Sequence, residues 1–382
     1  MPFVTQRSLS ALFLSVLLAG CSGTGLDEPD AAVPLDAGPS MDAGVPDAGT
    51  QDAGWMDSGT FDAGDDAGTP DAGEVDAGPG DAGGDADAGK TDAGSSDAGL
   101  PNVDRSNPQL YQFSFTAAQA DPAATQALGS QLAALDTRVA PIGKLVVYLH
   151  GAGVPTTCGG TGHNAFLASR GFHVISPCYV AGYGIAICGN DIGGCRREAF
   201  DGIDHSSVIQ VGPPDSIETR VVRMLQRLQT LNPKGDWQWF IENGKPRWNA
   251  IVISGISHGG SSAGLVAFYR PVSRAVMLSG PLDANQPWLA LPPVTPIERF
   301  WGFTHTGDPQ HPGHLTAFAT MMVPGVPRSI DDAGTPWGGS HRLYTSAPTA
   351  DPHGSLQLGG NSPKLSDGGY AYRAAWELMY GQ

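Results

Sequence analysis

Positive charge is scarce in this chain. Lysine and arginine supply 21 of 382 residues, against 38 acidic ones. The few bases are scattered, with no basic run, so the electrostatic footprint of a nucleic-acid binder is missing. Long apolar runs are missing as well. The longest apolar stretch, Leu9–Leu18, is well short of the ~20 residues that cross a bilayer. Cysteine is rare, at five residues, and too widely spaced for paired zinc ligands.

The acidity itself is confined to one segment. Residues 27–104 hold 20 acidic residues and a single base, Lys90, so the remainder of the chain is close to neutral, at about +2. Asp-Ala-Gly recurs twelve times between Asp36 and Gly99, mostly five residues apart. Such a segment has almost nothing apolar to bury, and burial is what offsets the entropy of ordering. Calcium-binding β-helix repeats are longer and carry an apolar position that this one lacks. Residues 21–104 are therefore expected to be a disordered, self-repelling linker with a coil dimension of roughly 50 Å.

Ahead of the linker, Arg7 and the apolar stretch Leu9–Leu18 have the layout of an export signal over residues 1–20. Leu18-Ala19-Gly20-Cys21 resembles the bacterial lipobox, which implies cleavage before Cys21 and lipidation of that cysteine. Ser22 follows, with no Asp at that position, and by analogy this favours the outer membrane. An exported protein is free to form disulfides. Cys158, Cys178, Cys188 and Cys195 allow three pairings. The short Gly-rich loop between Cys188 and Cys195 favours joining those two, which leaves Cys158 with Cys178.

Residues 105–382 suffice for a single α/β core. Strand-like and helix-like stretches alternate, as in a mainly parallel sheet flanked by helices. Strands are expected at Leu110–Phe115 (an edge), Leu145–Leu149, Phe172–Ser176, Ala250–Ser254, Ala275–Ser279, Phe300–Thr304 and Arg342–Ser346. Helices are expected at Ser216–Leu231, with Asp215 and Glu218 as a capping pair, and at His258–Tyr269 and Tyr370–Tyr380. Tyr179–Pro214 breaks the alternation, with two cysteines, many glycines and no clear period. It reads as a lid-like excursion over the carboxyl edge of the sheet.

Gly255-Ile256-Ser257-His258-Gly259 is a G-x-S-x-G pattern between an apolar strand and a helical run. A serine on such a turn stands clear at the carboxyl edge of the sheet, above a helix N-terminus that favours developing negative charge. Leu149-His150-Gly151-Ala152-Gly153 follows an earlier buried strand, and an H-G-x-G loop of this kind aims backbone N–H groups at an oxyanion. Gly151, Ala152 and His258 are the candidate donors. The Gly-rich turn carries Ser at its centre and lacks dinucleotide-binding spacing, so no cofactor is expected.

With these residues in view, residues 109–382 resemble the α/β-hydrolase superfamily. They are similar, more narrowly, to a bacterial branch with a Cys-containing insertion, a W-x-x-F segment (Trp237–Phe240), an S-G-P-x-D run (Ser279–Asp283) and a G-F-T-H-x-x-D run (Gly302–Asp308). The resemblance implies a triad in the order Ser, acid, His. Ser257 is then the nucleophile, Asp308 the acid with Asp283 as its rival, and His353 the base. The implied activity is ester hydrolysis through an acyl-enzyme, on a small-molecule or lipid ester. Two other readings remain open. One is a catalytically silent surface binding protein on the same fold. The other is a metal-dependent hydrolase using His305, Asp308, His311 and His314, although Pro309, Pro312 and Gly313 argue against a regular helix there.

Overall fold

The computed structural model describes residues 99–382 apart from Ala333. The export signal, Cys21 and the linker up to residue 98 lie outside the described residues. Residues counted with the end of the linker already dock on the domain. Pro101 is buried, Asp104 N–H donates to Lys234 O (2.9 Å), and the Asp104 carboxylate pairs with Lys234 Nζ (2.8 Å).

Eight principal strands build one sheet. They are β1 Leu110–Thr116, β2 Ser130–Asp136, β3 Leu145–Leu149, β4 His173–Ser176, β5 Ile251–Ile256, β6 Arg274–Leu278, β7 Phe300–His305 and β8 Arg342–Thr345. Their order is β1-β2-β4-β3-β5-β6-β7-β8. β2 runs antiparallel to both β1 and β4, and every pairing from β4 through β8 is parallel. Two-residue strands at Thr157–Cys158, beside β2, and Arg328–Ser329, beside β8, complete the sheet. This is the α/β-hydrolase fold.

Alternation along the central strands explains the three layers. Leu145, Val147, Leu149, Ile251 and Ile253 face one core, while Val146, Tyr148, Val252 and Ile256 face the other. On the second face lie α1 Thr161–Ala168 and, at the end of the chain, Arg373–Tyr380. On the first face lie α2 Ile192–Asp201, α3 Ile217–Leu231, α4 His258–Tyr269 and α5 His311–Thr320; the closing helix is then α6. In α3 the stripe Ile217, Val221, Met224, Leu225 and Leu228 is buried, as its period requires.

Several expectations are corrected. Ser216 caps α3, accepting from Thr219 N–H (3.3 Å). Asp215 turns away, accepts from Thr125 and Gln126, and pairs with Arg220 (2.7 Å); Glu218 pairs with Arg270 (3.0 Å). The sequence reading missed β2, because Ser-Gln-Leu-Ala-Ala-Leu-Asp is poor in the β-branched and aromatic residues that signal strands. Its strand geometry comes from the neighbours it pairs with on both sides. α5 also forms where none was expected, because Pro312 sits in its first turn, where the missing N–H costs nothing.

The insertion at 179–214 contains helix between Ile185 and Asp201. Ile185–Cys188 makes one turn and α2 follows, burying Ile192, Ala199 and Phe200 in the first core. Cys188 is bonded to Cys195, and Cys158 to Cys178. Arg196 and Asp283 form a salt bridge with side chains 1% and 0% exposed, fixing the insertion to the loop after β6.

Candidate active site

Six segments at the carboxyl ends of the parallel strands converge on one region. The central one is the turn from β5 into α4. Ser257, at its apex, has φ 59° and ψ −120°, a backbone conformation that costs a non-glycine residue about 1–3 kcal/mol. The surroundings force it. A side chain on Gly255 would come within 2.6 Å of Leu149 O, and one on Gly259 would run into Leu149 O and His150 O. Only glycines let α4 start this close to β3 and β5. Ser257 N–H donates to Leu278 O (2.8 Å), which ties the turn to the end of β6.

The loop after β3 lies directly against the elbow, since a side chain on Gly151 would lie 3.6 Å from Ser257 Cβ. The N–H of Gly153 is taken by Ala181 O (2.9 Å), leaving Gly151 and Ala152 as donors in this loop. His258 is the first residue of α4, and its N–H has no intrahelical acceptor. Gly151, Ala152 and His258 are thus grouped beside Ser257.

Asp308 follows β7 and is 3% exposed. Its Oδ1 accepts from Gln310 N–H (2.9 Å), and its Oδ2 lies 2.7 Å from His353 Nδ1. His353 follows β8, with its side chain 34% exposed. Its carbonyl accepts from Ser279 Oγ (2.6 Å), and Ser279 is the neighbour of Leu278, which holds Ser257. The Asp308–His353 pair is therefore anchored to the strand end that anchors the serine.

The rival acid is placed elsewhere. Asp283 accepts from Arg196 Nε and Nη2 (2.5 and 2.7 Å) and from Trp288 Nε1 (2.9 Å), and is fully buried. Both of its oxygens are occupied and none of these partners is a histidine.

The histidines around Asp308 do not converge. His305 Nε2–H donates to Ala347 O (2.9 Å), while its Nδ1 accepts from Gly307 N–H (2.9 Å). His311 and His314 both direct Nδ1 at Thr304 Oγ1 (3.3 and 2.8 Å). Burial pushes His314 down to about 4. Among the described residues no three His, Cys, Asp or Glu side chains lie close enough to share an ion.

A cavity of about 220 Å³ opens beside this region, between Pro281-Leu282 and the segment Pro309–His314. Sequence reasoning missed Tyr179 and Arg196, which reach the elbow from the insertion. Arg196 Nη1 donates to His258 O and Ser262 Oγ (both 3.3 Å). The only signals were a tyrosine directly after Cys178 and an arginine directly after Cys195.

No family model and no curated protein matches the chain. Several solved structures are similar in fold. Esterase B from Lactobacillus rhamnosis is 14% identical, covers 71% of this chain and 84% of its own, and has a TM-score of 0.37. A dienelactone hydrolase-like promiscuous phosphotriesterase from metagenomic libraries is 13% identical over 71% of this chain and 98% of its own, at 0.36. A thermophilic esterase from the planctomycete Thermogutta terrifontis is 14% identical over 70% and 91%, at 0.35.

Proposed function

We propose that the chain is a serine hydrolase of carboxylic esters, exported and tethered to the cell envelope through a lipid on Cys21. The observation that carries the reading is the 2.7 Å bond between His353 Nδ1 and Asp308 Oδ2, at the strand edge where Ser257 sits on a strained turn. Asp308 fixes the tautomer in which His353 Nε2 is free to accept a proton. Ser257 Oγ attacks the ester carbonyl and its proton passes to His353 Nε2. The developing oxyanion takes the N–H groups of His258 and of the Gly151-Ala152 loop. His353 then protonates the departing alcohol, leaving an acyl group on Ser257. Water, deprotonated by His353, releases the acid and restores the serine. The cavity beside Asp308 suits a short acyl or alcohol group.

Labelling of the protein with a fluorophosphonate, wild type beside Ser257→Ala, tests this. The expected result is an adduct on Ser257 that is absent from the variant. A well-folded protein that takes no label would overturn the reading in favour of a silent binding protein.

A further inference from the structure

The two arms of the proposed oxyanion hole are joined by a single phenol. Tyr179 follows Cys178, which is bonded to Cys158, and is 1% exposed. Its hydroxyl donates to His150 O (2.9 Å) and lies 2.9 Å from His258 Nδ1. A phenol has one proton. That proton is committed to the carbonyl, so the second bond is donated by His258 Nδ1–H. Burial, Arg196 and His150 all hold the His258 pKa well below the usual histidine range, so the ring is a neutral imidazole with its proton on Nδ1.

The two bonds hold the two arms in different ways. In a trans peptide the carbonyl and the next N–H point in opposite directions. Holding His150 O therefore fixes the direction of Gly151 N–H, which belongs to the same planar unit. The next plane is held similarly, because His150 Nδ1–H donates to Gly151 O (2.7 Å), orienting Ala152 N–H. On the other arm, Ser257 O accepts from Ser261 N–H (3.1 Å), which sets the plane of His258 N–H, and the bond between Tyr179 and the His258 side chain ties that first residue of α4 to the loop after β3. Arg196 supports the same residue from its carbonyl side.

We infer that Tyr179 is a positioning residue that sets the oxyanion hole, holding the Gly151 peptide and His258 in register across Ser257. The inference deepens the serine-hydrolase reading and rests on it. Tyr179 touches no reacting atom; it acts through the donors it aims.

The test compares p-nitrophenyl butyrate with its thiono analogue, in which the carbonyl oxygen that becomes the oxyanion is sulfur. Wild type, Tyr179→Phe and Tyr183→Phe are measured, with active sites titrated by fluorophosphonate. Tyr183 is an apt control, because it is buried against His258 (ring centroids 4.7 Å) and its hydroxyl has no partner among the described residues. Tyr179→Phe is expected to lower kcat on the oxygen ester by about 10²-fold, the scale of losing one oxyanion donor, with KM little changed. The oxygen-to-thiono rate ratio should fall with it, while Tyr183→Phe keeps the wild-type ratio. A Tyr179→Phe enzyme with fewer active sites but an unchanged ratio would overturn the inference, since it would mark a merely structural role. If that variant does not fold, His258→Leu breaks the same link from the other end, and an unchanged ratio there overturns it equally. Wild-type protein that neither hydrolyses the ester nor labels on Ser257 would instead remove the hydrolase reading itself.

Discussion

Asp283 and Asp308 differ in what their loss should do, and Asp283→Asn is the sharper perturbation. The Asp283 carboxylate is 0% exposed and receives two bonds from Arg196, whose side chain is 1% exposed, and one from Trp288. Neutralising it leaves a buried guanidinium without its counter-charge. Breaking a buried pair from one side typically costs about 3–5 kcal/mol, which is a large fraction of a domain's whole stability. With its carbonyl at the Oδ2 position the amide still accepts from Arg196 Nε and Trp288 Nε1, two of the three donors, so the lower end, about 3 kcal/mol, is expected. Asp308→Asn has a different signature. It preserves volume but favours the wrong His353 tautomer, and a loss in kcat of about 10⁴-fold is expected by analogy with serine-protease triads, with little change in stability. Guanidinium unfolding gives the first quantity; ester hydrolysis per titratable serine gives the second. The double variant Arg196→Met/Asp283→Leu should regain most of the lost stability, because it removes both charges together. A folded Asp283→Asn enzyme with normal stability and no activity, beside an active Asp308→Asn, would refute the assignment of both residues.

Three further outcomes are expected. Gly259→Ala places a methyl against Leu149 O and His150 O, so the variant should lose fluorophosphonate labelling, and expression trials with circular dichroism would separate misfolding from a displaced serine. Burial holds His163 down to about 3 and His173 down to about 4. The unfolded chain therefore takes up these protons first, and their contribution, complete above the ordinary value of 6.5, is lost as pH falls from there towards 3–4. Each should remove up to about 2 kcal/mol between pH 7 and pH 5. Urea midpoints at the two pH values would show it, and His163→Gln should flatten the difference. Finally, the cavity of about 220 Å³ beside Asp308 predicts faster hydrolysis of butyrate than of palmitate esters at matched leaving group, and a p-nitrophenyl ester series would reverse the inference if the long chain were preferred.

Much of this protein follows from local pattern. The continuous apolar strand Leu145–Leu149, the elbow Gly255–Gly259 and the helix His258–Tyr269 are set by short-range sterics and periodicity, so they are legible without tertiary information. Asp308 and His353, by contrast, are implied as partners of Ser257 by the family resemblance and its order of residues, not by local pattern. Other features arise only when distant segments meet. β2 exists because β1 and β4 flank it, not because its residues favour a strand. Asp283 stands in the sequence as the rival acid, but Arg196, 87 residues earlier in the chain, binds both of its oxygens. The insertion hid its helices because glycines and cysteines blur the helical period, while its burial is decided by contacts with α3 and α4. Nothing in the sequence around Tyr179 signals its bonds to His150 O and His258 Nδ1. Local sequence determines which residues are capable of the chemistry; the packing of six separate segments at one sheet edge decides which of them are aimed, because hydrogen-bond direction is a property of the assembled structure.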